Sequence, residues 1–192
     1  MPASLESPRE RLILPIMRPF YDYFAKPAAW VVLRLAVGIC LVLSGWPKLG
    51  APFGMAGWLD SMGFWPGWFW SLVAALTEFI AGILIAIGLF TRPAAVAAVI
   101  LLLVTLWVHS SNPYGPTALT PEGIAFMAGE GAQYLTDFGR AQLAGDGGAA
   151  LFAQASQKAV YTSMFWTLAA ALFAAFGGGY WSVDRLLLRR EF

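Results

Sequence analysis

An all-α integral membrane fold is predicted by three features of the sequence: a bundle of four spanning helices, with an extramembrane loop between helices three and four. The 192 residues are 59% hydrophobic and only 12% charged, about half the charge of an ordinary soluble domain. Four apolar stretches are long enough, at about 1.5 Å per residue, to cross or nearly cross a hydrocarbon core of about 30 Å as helices. Lysine and arginine collect on one side of those stretches, as the positive-inside bias requires.

Residues 1–27 carry Arg9, Arg11, Arg18 and Lys26 among Pro8, Pro15, Pro19 and Pro27. Pro15 interrupts the apolar patch at Leu12–Met17 and no small-residue cleavage site follows, so a removable signal peptide is not expected. With Phe20, Tyr21, Tyr23 and Phe24 beside the basic residues, the segment reads as surface-lying and interfacial on the cytoplasmic side, or as a partly ordered tail. The first span is residues 28–49. At 100° per residue, Arg34, Gly38, Leu41, Gly45 and Lys48 fall on one face, a seam whose glycines admit a close neighbour. Pro47 is expected to distort the last turn, because its ring meets the Leu43 carbonyl.

Residues 50–67, rich in glycine and proline, read as a loop with a short interfacial or re-entrant piece. The second span, residues 68–90, has Ser71, Ala74, Ala75, Glu78 and Gly82 along one side. Glu78 is its single carboxylate and falls near the bilayer midplane, where an ionised group must face inward to a partner. Thr91-Arg92-Pro93 reads as a tight turn. The third span, residues 93–109, is short at about 26 Å, and is expected to borrow a turn at one end or stand upright. Residues 110–158 form the longest polar section, a periplasmic insertion with helical stretches such as 132–143, too long for a simple link and suited to a cap or interaction surface. The fourth span is residues 159–181, and residues 182–192 form a basic cytoplasmic tail.

Counting Lys and Arg at each connection puts Arg9, Arg11, Arg18, Lys26, Arg92, Arg185, Arg189 and Arg190 on one side. Arg140 and Lys158 lie opposite, with Lys48 at the boundary. Both termini are therefore expected in the cytoplasm, in a bacterial inner membrane.

Several function classes lose support. A net charge of +1 offers nothing to nucleic acid, and the single cysteine, Cys40, forms neither an internal disulfide nor a CxxC pair. One histidine, His109, does not make a bis-His haem site, and no His/Cys cluster points to a metal. The charges inside the spans are the candidate site. Arg34 is the expected partner of Glu78, about five positions or roughly 7 Å apart in depth, within reach of an extended guanidinium. The pair reads as a packing device, as a proton-active or ligand-binding carboxylate, or as a contact for a partner subunit. Lys48 is expected to snorkel to the headgroups. His109, beside Trp107, reads as an interfacial residue or, with Lys48, Trp46 and Trp107, as one wall of an outer-leaflet pocket. Trp46, Trp58, Trp65, Trp68, Trp70, Trp107 and Trp166 are seven of the nine tryptophans and all fall toward the outer half. A quinone-like ring or a partner helix would stack there.

Three motifs in order resemble the DoxX family. Arg34-x-x-x-Gly38 leading to Ser44-Gly45-Trp46-Pro47-Lys48-Leu49 is similar to its first-helix pattern. Glu78-x-x-x-Gly82 followed by Gly88 and Thr91-Arg92 is similar to its second-helix pattern, and Trp181-Ser182-Val183-Asp184 resembles its closing motif. Residues 110–158 depart from the compact family pattern. The resemblance implies a four-helix membrane bundle of the kind linked to redox complexes, among them a membrane subunit of thiosulfate:quinone oxidoreductase. It places Arg34, Lys48, Glu78 and Arg92 at motif positions without assigning their roles.

Two functional classes follow. The first is a membrane subunit or anchor without autonomous catalysis, in a redox assembly or homo-oligomer. It has no intrinsic cofactor, although a bound quinone fits this class, and any catalysis would belong to a quinone-linked oxidoreductase. The second is a small proton-coupled transporter or solute-binding protein using Glu78. Only one acidic residue lies within the spans and no repeat of broken helices is visible, which weighs against transport.

Overall fold

A computed structural model describes residues 14–111, 121–146, 149–179 and 181–188. Among them the chain is helical without strands, and four helices are long and apolar enough to cross a membrane. They are α1 (Arg18–Gly50), α3 (Gly67–Ile87), α4 (Thr91–Ser111) and α7 (Ala149–Phe176). Shorter helices are α2 (Ala56–Ser61), α5 (Pro121–Ala128), α6 (Asp137–Asp146) and α8 (Val183–Leu186). The chain divides into two compact units. The first comprises residues 1–101 and 167–192, and so draws on all four spans; the second is residues 102–166.

In the first unit, α1 begins well before the expected residue 28, so residues 18–27 continue the first span rather than forming a separate surface segment. Between Tyr21 and Ala25 the helix widens to a π-turn, in which the Lys26 N–H donates to the Tyr21 carbonyl. The wider turn carries the chain past Pro27, which has no N–H and whose ring would crowd the Tyr23 carbonyl. Asp22 ties this segment together by accepting from Arg18 Nε at 3.2 Å and Lys26 Nζ at 2.6 Å. At the other end Pro47 lies inside the helix, which runs on to Gly50.

Helices α1 and α3 pack antiparallel along the predicted seam. Arg34, Val37, Gly38, Leu41 and Gly45 are buried on α1, and Ser71, Ala75, Glu78, Ala81, Gly82 and Ile85 on α3. Without a hydrophobic drive between helices in lipid, close backbone approach holds such a pair. A Cβ on Gly38 would sit 2.6 Å from the Gly82 carbonyl oxygen, and one on Gly45 would sit 2.8 Å from the Phe79 nitrogen. The start of α3 is anchored too. Asp60 Oδ1 accepts from the Gly67 N–H at 2.6 Å, and the Ser71 hydroxyl donates to the Pro52 carbonyl at 2.7 Å. The predicted interfacial piece is thus the short helix α2, resting on the first turn of α3.

Helix α3 stops where Gly88 turns left-handed at φ 74°, and the Leu89 N–H returns to the Leu84 carbonyl at 2.9 Å, a glycine-terminated helix end. Helix α4 starts directly after it at Thr91. The third span is therefore longer than residues 93–109, gaining residues at both ends. The fourth differs in the opposite sense at its end: α7 stops at Phe176, because Gly177 and Gly179 both adopt φ 77°, and residues 177–179 and 181 lie outside the helix. It begins at Ala149, ten positions before the expected start at 159, because the helix forms before the apolar run does.

In the second unit, much of the 110–158 insertion is helical: α5, a 3-10 turn at Glu130–Tyr134, and α6. Arg140 Nε and Nη2 both donate to the Leu135 carbonyl at 3.3 Å, and Asp146 Oδ2 accepts from the Ala150 N–H at 2.9 Å at the start of α7. The run Ser-Ser-Asn-Pro-Tyr-Gly-Pro that opens the insertion, residues 110–116, is expected to turn; its residues 112–116, with 117–120, lie outside the described residues. So do Arg9, Arg11, Arg189 and Arg190 of the charge count.

Gly38→Val drives a branched side chain into the Gly82 backbone and is expected to cost about 1–3 kcal/mol, read as a lower melting temperature in detergent. Gly57→Ala, where an added Cβ meets nothing within 4 Å, is expected to leave the melting temperature within error.

Candidate functional site

Two polar layers lie inside the first unit, at different depths along α1. The first is built around Arg34, which is 3% exposed. Its guanidinium donates from Nε to the Ala86 carbonyl at 3.2 Å, from Nη1 to Gly178 at 2.7 Å and from Nη2 to Trp181 at 2.9 Å. Ala86 belongs to the last turn of α3, and Gly178 lies just beyond the end of α7. The Ala86 carbonyl is one a helix leaves without an internal partner, at the negative end of its dipole, and the Gly178 and Trp181 carbonyls lie in the non-helical chain beyond α7. One rigid fork of donors satisfies all three, a geometry that lysine does not reproduce.

Asp184 performs the converse service. It is 2% exposed; its Oδ1 accepts from the Phe90 N–H at 2.8 Å, and its Oδ2 from the Thr91 N–H at 3.0 Å and the Thr91 hydroxyl at 2.9 Å. It therefore caps the start of α4 from a distant part of the chain, where a carboxylate also meets the positive end of the dipole. The Asp184 N–H donates back to Gly88 at 2.9 Å. Ser182 starts α8, its hydroxyl accepting from the Arg185 N–H at 3.3 Å and donating to Gly179 at 2.9 Å. The cluster leaves no room for side chains at two glycines. A Cβ on Gly88 would lie 2.6 Å from Arg34 Nη1, and one on Gly178 would lie 2.6 Å from the Thr91 hydroxyl. Trp30 closes the side, donating to the Gly177 carbonyl at 3.2 Å and packing edge-on against Phe173 at 5.2 Å.

The second layer is an ion pair. Lys48 Nζ lies 2.6 Å from each oxygen of Glu78, with the lysine side chain 30% exposed and the glutamate 6%. Gly45 makes the approach feasible, since a Cβ there would stand 3.1 Å from that of Glu78. The expected Arg34–Glu78 pair is therefore replaced by Lys48–Glu78. Arg34 bonds at the level of Ala86, eight positions after Glu78 on α3 and so roughly 12 Å away along the helix. The glycine contacts that set this register are invisible to an estimate made from span centres. Lys48, expected at the headgroups, turns inward instead.

Trp46, exposed on α1, packs against Phe79 at 5.8 Å in the first unit. His109 and Trp107 belong to the second unit, near the end of α4, where His109 is half-buried and Trp107 exposed. Asp184 is the functional side chain that the sequence reading left outside its candidate site. The available signal was its place two residues after Ser182, behind a glycine-rich turn.

Paired intramembrane charges, glycine-welded spans and a polar clasp across helix ends define an α-helical integral membrane domain. The family model described as DoxX matches residues 29–111, covering α1 to α4 and stopping before the closing motif at Asp184. Inner membrane protein YphA of Escherichia coli (strain K12) is 28% identical over 107 residues, 52% of this chain and 76% of that protein. No solved structure matches. Residues 29–111 are therefore similar to the DoxX family.

Asp184→Asn keeps one acceptor but loses the charge, and is expected to cost about 2 kcal/mol; Asp184→Ala leaves three donors without their acceptor and should cost more. Thermal unfolding in detergent checks the order.

Proposed function

We propose that this protein is a membrane subunit without autonomous catalysis, anchoring a redox assembly in a bacterial inner membrane with both termini in the cytoplasm. One contrast within the first unit carries the reading. Arg34 and Asp184 are spent on helix ends, whereas Trp46, Trp58, Trp65, Trp68 and Trp70 are left exposed. Side chains committed in this way build a frame. Large exposed rings, apolar across the face and polar at the N–H, suit a flat partner such as a quinone head or the aromatic residues of a neighbouring subunit. The link to redox assemblies rests on the resemblance to the family, and the inner membrane is where the YphA relative is placed by name.

Extraction of the tagged chain in mild detergent, followed by mass spectrometry of proteins and lipids, tests this. Stoichiometric recovery of an oxidoreductase subunit or a quinone is the expected outcome, and recovery of the bare chain with ordinary phospholipid would sink the proposal.

One observation favours a second reading, proton-coupled transport. Glu78 is buried within a span, and its partner Lys48 is partly exposed on the outside of the first unit, so a proton-coupled role needs that side to be reached by water. On this reading Glu78→Gln abolishes solute-driven proton flux in proteoliposomes while the variant stays folded. Unchanged flux in that variant removes it.

A further inference from the structure

The same end of the first unit that holds the Arg34 clasp contains a second guanidinium with a different fate. Arg92 is half-buried and follows Thr91 at the start of α4. Its Nε is buried and has no hydrogen-bond partner, and no ion pair involves Arg92 among the described residues. Such a group costs free energy unless something accepts from it.

The nearby carboxylate is already engaged. Asp184, which caps the Phe90 and Thr91 amides just before Arg92, accepts from Phe90 and Thr91 through both oxygens. The guanidinium lies along the turn at Gly177, where an added Cβ would come within 3.3 Å of Nε. Gly177 has φ 77°, so a side chain there is disfavoured twice, by strain and by crowding. The terminus of a spanning helix lies at the depth of the lipid headgroups.

We propose that Arg92 holds the phosphate of an anionic phospholipid, with Gly177 as the floor of the site. A phosphodiester offers two free oxygens, and the Nε–Nη edge of arginine matches that spacing with two parallel donors. As the side chain stands its Nε is buried, so binding requires the last side-chain torsions to turn this edge toward the headgroup. The site is independent of any redox partner, because every residue in it belongs to this chain.

The test uses the full chain, purified in neutral detergent and stripped of lipid. Phosphatidylglycerol, phosphatidylcholine and inorganic phosphate are added in separate arms, and binding is read by native mass spectrometry and melting temperature. Wild type is expected to retain phosphatidylglycerol and to melt higher with it than with phosphatidylcholine. Arg92→Gln should weaken retention about tenfold, as expected for loss of a charge-assisted bidentate contact, and Arg185→Gln should leave it unchanged. Arg92→Lys keeps the charge and guards against a misfolded glutamine variant: folded protein with clearly weaker retention supports the assignment. Equal retention by Arg92→Lys, or an equal loss in Arg185→Gln, would show a diffuse basic surface and overturn it. Stabilisation by inorganic phosphate alone, matching that of the lipid, would assign the site to free phosphate and overturn the lipid.

Discussion

Backbone groups at a helix end that is buried in the protein have no water to bind, and this constraint governs the first unit. Three spans end or begin at one level: α3 at Ile87, α4 at Thr91 and α7 at Phe176. Their surplus carbonyls and amides meet two side chains of opposite sign. Arg34 takes carbonyls beyond the ends of α7 and within the last turn of α3, while Asp184 takes the amides that open α4. Each charge is buried and neither is wasted, because the unpaired ends of the backbone act as its counter-charge. The glycines at 88 and 178 follow from this arrangement, since a methyl group at either would push the clasp apart.

A second constraint, close contact of α1 and α3 through Gly38, Gly45 and Gly82, sets the depth at which everything else meets. It brings Glu78 to Lys48 and leaves Arg34 a turn or more away from it. The two polar layers therefore have different characters. The clasp holds three carbonyls and three donors in a fixed arrangement, whereas the Lys48–Glu78 pair is open on the lysine side. An exposed partner reduces what such a pair contributes to stability, and makes it the more responsive of the two layers.

Much of this was legible in the sequence where it depends on local period. The face of Arg34, Gly38, Leu41 and Gly45 follows from 100° per residue, and the buried residues of α1 reproduce it. The four spans were legible from apolar length, and the similarity to the DoxX family from motifs in α1 and α3. Register was not, because it depends on which glycines touch across two helices, and a shift of a few residues exchanges the partner of Glu78. Helix limits escaped for related reasons. The π-turn that carries α1 past Pro27, and the two left-handed glycines that stop α7, are backbone events that hydropathy does not register. The role of Asp184 was hidden by distance, since its partners lie 93 and 94 positions away.

That distance bears on how the molecule is made. Ribosomes deliver the chain from its amino end, so α1 enters the membrane while the Gly178 carbonyl, 144 positions later, does not yet exist. Until then the arginine must borrow hydration or a headgroup, and the amides that open α4 wait for an aspartate still to be synthesised. The clasp is complete only once Gly178, Trp181 and Asp184 have been made. A chain stopped before Gly178 would leave Arg34 without two of its three carbonyl partners.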